Sequence, residues 1–237
     1  MSEPSALVFA ERSVAVAFEK WREELGRPDG RFRVLALGEE QIRTQFIEIS
    51  RTVTQLWTMQ RSASLAATAA TLDASLRSID LVHDARMLIP EAVAVQNPLE
   101  LRMAAGDIRY ARCPGHVMIL NRKAFTISGP LTPNGDPTVW ICKDEALVEQ
   151  AAQLHEQLWE HAKPASPPNI TVRQGEVLLR LALGSSDREI TKLMGISQRT
   201  LEREISTAQQ VFGASGRVDL LTRLAGVTRF PLAPEAR

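Results

Sequence analysis

The sequence predicts an α/β domain with helices on a central mixed sheet, followed by a small all-α domain. Helix-like and strand-like patterns alternate over residues 1–162, and two capping boxes with helical periodicity follow within residues 170–237. Between them, residues 163–169 contain three prolines, which disfavour a helix and predict a semi-stiff linker. We therefore expect one domain at 1–162, a linker at 163–169 and a second domain at 170–237.

The first domain is predicted to begin with amphipathic helices at residues 13–25 and 39–51 and a strand at 54–59. An alanine- and leucine-rich helix is predicted at 63–77. Later strands are predicted at 86–89, 108–113, 117–120, 124–127 and 139–142. A closing helix at 144–161 has a broad apolar stripe formed by Leu147, Ala151, Leu154, Leu158 and Trp159.

Local signals predict three helices in the second domain, and capping boxes mark the first two. Thr171 with Gln174, and Ser186 with Glu189, have the spacing of capping boxes, so each pair predicts a helix start. Gly195 is predicted to end the second of these helices. Apolar residues at helical spacing are expected to form buried faces on both: Val177, Leu178 and Leu181, then Ile190, Leu193 and Met194.

A third helix is predicted to begin after Ser197, which has the chemistry of an N-cap. Its apolar positions are Leu201, Ile205, Ala208 and Phe212, and its opposite face is polar. Two short helices, a glycine-containing turn and a longer helix indicate a helix-turn-helix, whose second helix enters the major groove of DNA.

The second domain resembles the LuxR/GerE-type DNA-binding domain. The matching positions are Ile170, Thr171, Glu176, Val177, Leu178, Gly184, Ile190, Leu193, Met194, Gly195, Ile196, Ser197, Thr200, Leu201, Ile205, Phe212, Gly213, Arg217, Asp219 and Leu220. The resemblance implies that Arg199, Glu202, Arg203 and Ser206 occupy base-reading positions. It also implies DNA backbone contacts by Thr171, Arg173, Lys192, Ser197 and Thr200. We therefore expect a transcriptional regulator that binds double-stranded DNA.

The third helix is more acidic than the family pattern. Glu202 stands where the family usually has a basic residue, and Glu204 where it usually has a histidine. Residues 170–224 contain eight basic and six acidic residues, so little net charge is available for phosphate contacts. Such a domain should bind DNA modestly unless it is dimerised. The alternative is a protein-interaction co-regulator or anti-activator, in which Glu202 and Glu204 pair with neighbouring arginines on a solvated face.

The first domain, over roughly residues 51–163, resembles the phospholipase D-like sensory domain of LuxR-type regulators. The likeness depends on the predicted strands between Ile108 and Ile127, the later strand at 139–142 and the closing helix. Catalytic members need a histidine, a lysine two residues later and a downstream aspartate. Here Met118 stands two residues after His116, at the position of the lysine, and Lys123 stands at the aspartate position. We therefore predict a degenerate, non-catalytic domain that responds to a small-molecule or protein effector, with unknown ligand residues.

Composition places further bounds on function. The 237 residues carry no formal net charge and are 44% hydrophobic, as expected of an ordinary cytoplasmic protein with no membrane partner. Cys113 and Cys142 are too few for a disulfide framework. Although Cys113 and His116 have the spacing of one arm of a zinc site, a fourth ligand is missing, so we predict no metal and no cofactor. We expect a homodimer formed through the apolar faces of the helices at 13–25 and 144–161.

Overall fold

The computed structural model describes residues 3–63, 81–104, 106–166 and 168–224. The predicted helix at 63–77 lies outside the described residues apart from Ala63. In chain order the elements are α1 (Glu3–Glu23), β1 (Phe32–Leu37), α2 (Gly38–Ser50), β2 (Gln55–Met59), β3 (Asp84–Ile89), α3 (Glu91–Gln96), α4 (Pro98–Met103), β4 (Asp107–Tyr110), β5 (Val117–Leu120), β6 (Ala124–Ser128), β7 (Thr138–Cys142), α5 (Glu145–His161), β8 (Lys163–Pro164), α6 (Val172–Ala182), α7 (Asp187–Met194), α8 (Gln198–Phe212) and α9 (Arg217–Leu224).

Contacts divide the described residues into two units. The sheet unit takes residues 3–62, 81–93 and 106–166, and the helical unit takes 94–103 and 168–224. The division after Ser166 falls inside the predicted linker. Residues 94–103, which the sequence places within the first domain, group instead with the C-terminal helices. The two units are therefore not continuous in sequence. The sequence did not predict this, because a helix between two strands carries no local signal for the unit against which it packs.

The sheet unit contains one mixed sheet of eight strands in the order β1-β7-β6-β5-β2-β3-β4-β8. The three adjacent strands β2, β3 and β4 are parallel to one another, and every other pair is antiparallel. The predicted mixed sheet with helices is confirmed. β2 pairs in parallel with β3 and antiparallel with β5. Because of the antiparallel pairing, the last residue of β2 lies beside the first residue of β5.

Two strands were not predicted. In β1 only Phe32 and Ala36 are buried, and a register shift between Val34 and Ala36 breaks the alternation that marks a strand. The two residues of β8, Lys163 and Pro164, belong to the predicted linker but pair with Tyr110 and Arg109 of β4. The prediction of a linker over 163–169 was therefore wrong at its first two residues, since an edge strand tolerates proline.

The core of the sheet unit is built on α1, α5 and the strands between them. The α1 helix begins at Glu3 rather than at the predicted residue 13, so Ser13 lies inside the helix, where its hydroxyl donates to the Phe9 carbonyl. Trp21 of α1 lies 4.9 Å from Phe125 of β6, measured between ring centroids. The α5 helix begins after Asp144, whose carboxylate accepts the Leu147 amide.

The apolar stripe of α5 is buried against its own sheet. Leu147, Ala151, Leu158 and Trp159 all belong to the core of the sheet unit, and Leu154 packs against it. The prediction that this stripe forms a dimer interface was wrong, since these side chains are covered within one chain. None of the helices in the described ranges combines the length and the apolar character that a membrane span requires.

Candidate nucleic-acid interface

The helix α6 opens the candidate interface. Both hydrogen bonds of its predicted capping box form: the Thr171 hydroxyl accepts the Gln174 amide at 3.1 Å, and Gln174 Oε1 accepts the Thr171 amide at 2.7 Å. Thr171 is exposed, yet its hydroxyl and amide are already engaged within the helix start. The neighbouring Arg173 is exposed and points its charge away from the helical core.

The helix α7 also has its predicted capping box, formed by Ser186 and Glu189, and it ends at Gly195 in a left-handed conformation with φ of 62°. Ile190 is buried as expected. Leu193 is 64% exposed, so its prediction as a core residue was wrong. Successive residues are about 100° apart around a helix. The buried face of this two-turn helix is narrow, and the side chain of Leu193 lies beside it.

The helix α8 follows after Ser197, whose hydroxyl accepts the Thr200 amide at 3.1 Å and contacts the Thr200 hydroxyl at 2.8 Å. Leu201, Ile205 and Ala208 are buried, whereas the predicted base-reading side chains are all exposed. Those exposed residues are Arg199, Glu202, Arg203 and Ser206. The amphipathic pattern predicted for this helix is therefore confirmed.

The two acidic residues of α8 differ in their surroundings. Glu202 is exposed and accepts a hydrogen bond from Gln198 at 3.3 Å. The side chain of Glu204 is only 13% exposed; it accepts a hydrogen bond from Gln174 of α6 at 2.8 Å and lies 3.6 Å from Arg203. The expectation that Glu204 lies on the solvated face was wrong, because the hydrogen bond from Gln174 holds its side chain between α6 and α8.

Half of the basic residues in this part of the chain form ion pairs, of which that of Arg203 is the longest, at 3.6 Å. Ion pairs join Arg180 to Glu176, Arg203 to Glu204, Arg217 to Asp187 and Arg223 to Asp219. The other four cations, Arg173, Arg188, Lys192 and Arg199, are exposed and have no ion pair within the described ranges. Arg188, which the sequence analysis did not place among the DNA contacts, lies in the first turn of α7, one turn before Lys192.

The sheet unit holds a second cluster of polar residues around His116. Its imidazole Nε2 lies 3.1 Å from the Ser62 hydroxyl, and its amide donates to the Ser128 hydroxyl at 3.3 Å. Partial burial and then the charge of Arg61 lower the pKa of His116. Met118 is part of β5, and Lys123 follows the far end of that strand.

The two cysteines are buried in the same unit. The Cys113 thiol lies near the carbonyl groups of Leu88 and Ala111, and burial raises its pKa to about 12. Burial also raises the pKa of Cys142. Among the residues that the structure describes, no group of three potential ligands is arranged to hold a metal ion.

Two rings from α5 and one from β2 form a stack. His155 lies between Trp57 of β2 and Trp159 of α5, with ring centroids 5.2 and 5.8 Å away. The Arg86 guanidinium lies 4.4 Å from the Trp57 ring, and Asp84 accepts hydrogen bonds from Trp57 and Arg86. Burial, followed by the charge of Arg86, lowers the pKa of His155 to about 3. This imidazole is therefore neutral near pH 7 and fills the core.

Comparison with known proteins gave structural neighbours only. No protein-family model matches the chain, and no curated protein matches it significantly. Among solved structures, the archaeal chromatin protein TrmBL2, reported with a novel mode of DNA binding, is 13% identical with a TM-score of 0.39; the match covers 63% of this chain and 62% of that one. The phage VqmA structure, a complex with DPO, is 25% identical with a TM-score of 0.26, covering 47% and 51%.

Two further neighbours each match 56% of this chain. Nuc from Salmonella typhimurium, a phospholipase D family member, is 15% identical with a TM-score of 0.40, and the match covers 56% of this chain and 98% of Nuc. NucT from Helicobacter pylori is 10% identical with a TM-score of 0.39, covering 56% and 99%. The chain spans less than two thirds of the archaeal and phage proteins and nearly all of these two.

Proposed function

We propose that this protein is a DNA-binding transcriptional regulator whose helical unit contacts DNA as a helix-turn-helix. The observation that carries the proposal is the polar face of α8, which presents Arg199, Arg203, Glu202 and Ser206 to solvent while the opposite face is buried. The unpaired cations Arg173, Arg188 and Lys192 are suited to phosphate contacts. An arginine can donate two hydrogen bonds to guanine, and a glutamate can accept one from cytosine.

The test is a mobility shift of the full chain on DNA taken from upstream of its own gene. We expect a specific shift that Lys192→Ala weakens on all sequences, because a phosphate contact carries no sequence information. Arg43→Ala on α2 is the matched control, since Arg43 is exposed but lies in the sheet unit and outside α1. Equal binding by wild type and by Lys192→Ala, or an equal loss in Arg43→Ala, would contradict the assignment.

The second candidate is a protein-interaction co-regulator with weak or no specific binding to DNA. The ion pairs of Arg180, Arg217 and Arg223 favour it, because they leave fewer cations free for phosphate contacts, and so does the exposed Glu202 on α8. The substitution Glu202→Lys separates the two candidates. A DNA-facing Glu202 predicts that this change steepens the salt dependence of binding by about one ion. An unchanged salt dependence would favour the co-regulator.

We further propose that the sheet unit forms the homodimer and receives a small-molecule or protein effector. Two half-sites addressed by linked copies would compensate for weak binding by each helical unit. With the stripe of α5 buried, α1 is left from the predicted interface, and its side chains Val8, Phe9 and Val16 are 61%, 64% and 52% exposed. We propose this α1 surface as the contact between two copies.

Light scattering tests the dimer. Val16→Glu is expected to give a monomer at micromolar concentration and to weaken DNA binding, whereas Val218→Glu, at an 80% exposed residue of the helical unit, should leave the dimer intact. A wild-type monomer that still binds its site tightly would remove the case for dimerisation.

We propose that the chain has no phosphodiesterase activity. Covalent phosphodiester chemistry needs an activated nucleophile and a charge clamp, and His116 has neither a lysine two residues later nor an aspartate at position 123. No turnover is expected on lipid, nucleic-acid or chromogenic diesters. Turnover that disappears in His116→Ala would establish the opposite.

A further inference from the structure

The segment of residues 94–103 belongs to the helical unit by its contacts, although the chain places it between two strands of the sheet unit. Within the helical unit, α4 packs against α6. The three apolar residues of α4 are almost fully buried: Leu99 at 2%, Leu101 at 6% and Met103 at 1% exposure. Because these three side chains are buried, packing fixes the position of α4 within the helical unit.

The contact between α4 and α6 is closest at Gly175. A Cβ atom at this position would lie 2.7 Å from Met103 Sδ and 3.4 Å from Arg102 Cγ. Glycine in the middle of a helix lowers its stability relative to alanine, and Gly175 is followed by seven more residues of α6. A side chain at this position would therefore require the buried Met103 side chain of α4 to move.

The docked arrangement includes one unfavourable group. Arg102 Nε is buried without a hydrogen-bond partner among the described residues. Release of α4 would return this donor to water and offset part of the loss of apolar contacts. The free energies of the docked and released arrangements therefore differ less than they would for a fully apolar contact.

Gly175 also stands next to the residue that joins α6 to α8. Gln174 caps α6 through Thr171 and donates from Nε2 to Glu204 Oε2 of α8 at 2.8 Å. A change in how α4 seats on Gly175 thus acts on the start of α6 and on the hydrogen bond that positions the proposed DNA-facing helix.

We propose that α4 is a docking arm that controls DNA binding by setting the arrangement of α6 and α8. Because the arm is covalently continuous with β3 and β4, a rearrangement of those strands on effector binding would reach the helical unit through it. This inference rests on the proposed DNA-binding function. It assigns a regulatory role to residues that do not themselves face DNA.

The experiment uses the full-length chain and four variants: Gly175→Ala, Met103→Ala, the two combined, and Gly216→Ala. Gly216 is the matched control, because nothing lies within 4 Å of a Cβ built there. Hydrogen exchange of residues 98–103 and 172–182 reports docking of the arm. A mobility shift on the upstream DNA reports affinity, measured well below the unfolding temperature.

Gly175→Ala is expected to raise exchange in both segments at least fivefold and to change the Kd for DNA at least fivefold. Gly216→Ala should stay within twofold of wild type on both readouts. In the Met103→Ala background, adding Gly175→Ala should no longer raise exchange, since the clashing Sδ is gone and alanine favours the helix. If Gly175→Ala does not fold, Met103→Ala alone is expected to shift both readouts in the same direction.

Two results would overturn the inference: unchanged exchange of residues 98–103 in Gly175→Ala, or increased exchange with an unchanged Kd. A wild-type chain that binds no DNA would instead overturn the proposed function and with it the control of DNA binding. The exchange data would then still decide whether α4 docks on α6.

Discussion

The sheet unit and the helical unit are stabilised by different kinds of side chain. All four tryptophans lie in the sheet unit, where Trp21 contacts Phe125 and where Trp57 and Trp159 enclose His155. The helical unit has a single aromatic residue in its described part, Phe212, and its core is otherwise aliphatic. Its helix starts are instead defined by side-chain caps at Thr171, Ser186 and Ser197.

This difference separates long-range from local stabilisation. Trp21 and Phe125 are about a hundred positions apart in the chain, so their contact exists only once the sheet has formed. A capping box joins residues three positions apart and acts within one helix. We therefore expect substitutions in the sheet unit to be costly and cooperative, and substitutions at the caps to be small and confined to one helix.

The largest effect is expected from Trp21→Ala. This residue is 1% exposed and its indole donates to Gln150, so truncation should cost about 3–5 kcal/mol of unfolding free energy. Urea unfolding followed by the fluorescence of the remaining tryptophans measures the sheet unit. Hydrogen exchange of residues 172–212 measures the helical unit, which should change little. An equal loss in both units would show that they unfold as one.

Acid is expected to destabilise the sheet unit through His155. Its pKa is about 3 when folded and about 6.5 in an unfolded chain, so the unfolded state binds more protons between these values. Stability is complete above pH 6.5 and should fall as pH decreases, by about 3 kcal/mol at pH 4. Asp84 faces the same cluster, and its lowered pKa makes its own loss of stability begin at lower pH.

The pH dependence is measured by urea unfolding at intervals from pH 7 to pH 4. His155→Leu, which keeps the site filled without a titrating group, should flatten the profile. A wild-type profile that is already flat, or one that His155→Leu leaves unchanged, would mean that another group controls acid unfolding.

Arg203→Ala is expected to weaken binding to the cognate DNA site by about 1–3 kcal/mol and to relax specificity at one base pair. Arg203 is exposed on α8 and its contact with Glu204 is long, at 3.6 Å, so its guanidinium is available to a base. Binding to the site and to single-base variants is measured by fluorescence anisotropy at fixed salt. Equal weakening on every sequence would assign Arg203 to a phosphate contact.

The smallest effect is expected from Ser186→Ala. Loss of this cap should cost about 1 kcal/mol and raise hydrogen exchange in α7 alone, with no change in the fluorescence-detected midpoint of the sheet unit. The neighbouring Ser185→Ala, which leaves the cap in place, is the control. A loss that spreads to the sheet unit would contradict the local character of this contact.

The sequence was most informative where structure depends on neighbours in the chain. The caps at Thr171 and Ser186, the end of α7 at Gly195 and the polar face of α8 were all predicted from spacing. It was least informative where burial is decided by distant residues. Leu193 has the apolar character of a core residue but is exposed, whereas Glu204 is charged but mostly buried by its hydrogen bond to Gln174.

By itself the sequence determined the helix starts of the C-terminal part and most strands of the sheet, because short-range spacing encodes periodicity and capping. Only the tertiary structure decided that β1 and β8 complete the sheet edges, that the stripe of α5 is internal, and that α4 packs on α6. The physical reason is that these features depend on which surfaces meet after collapse. Gly175 shows the limit well, since nothing in its local sequence signals that Met103 approaches it.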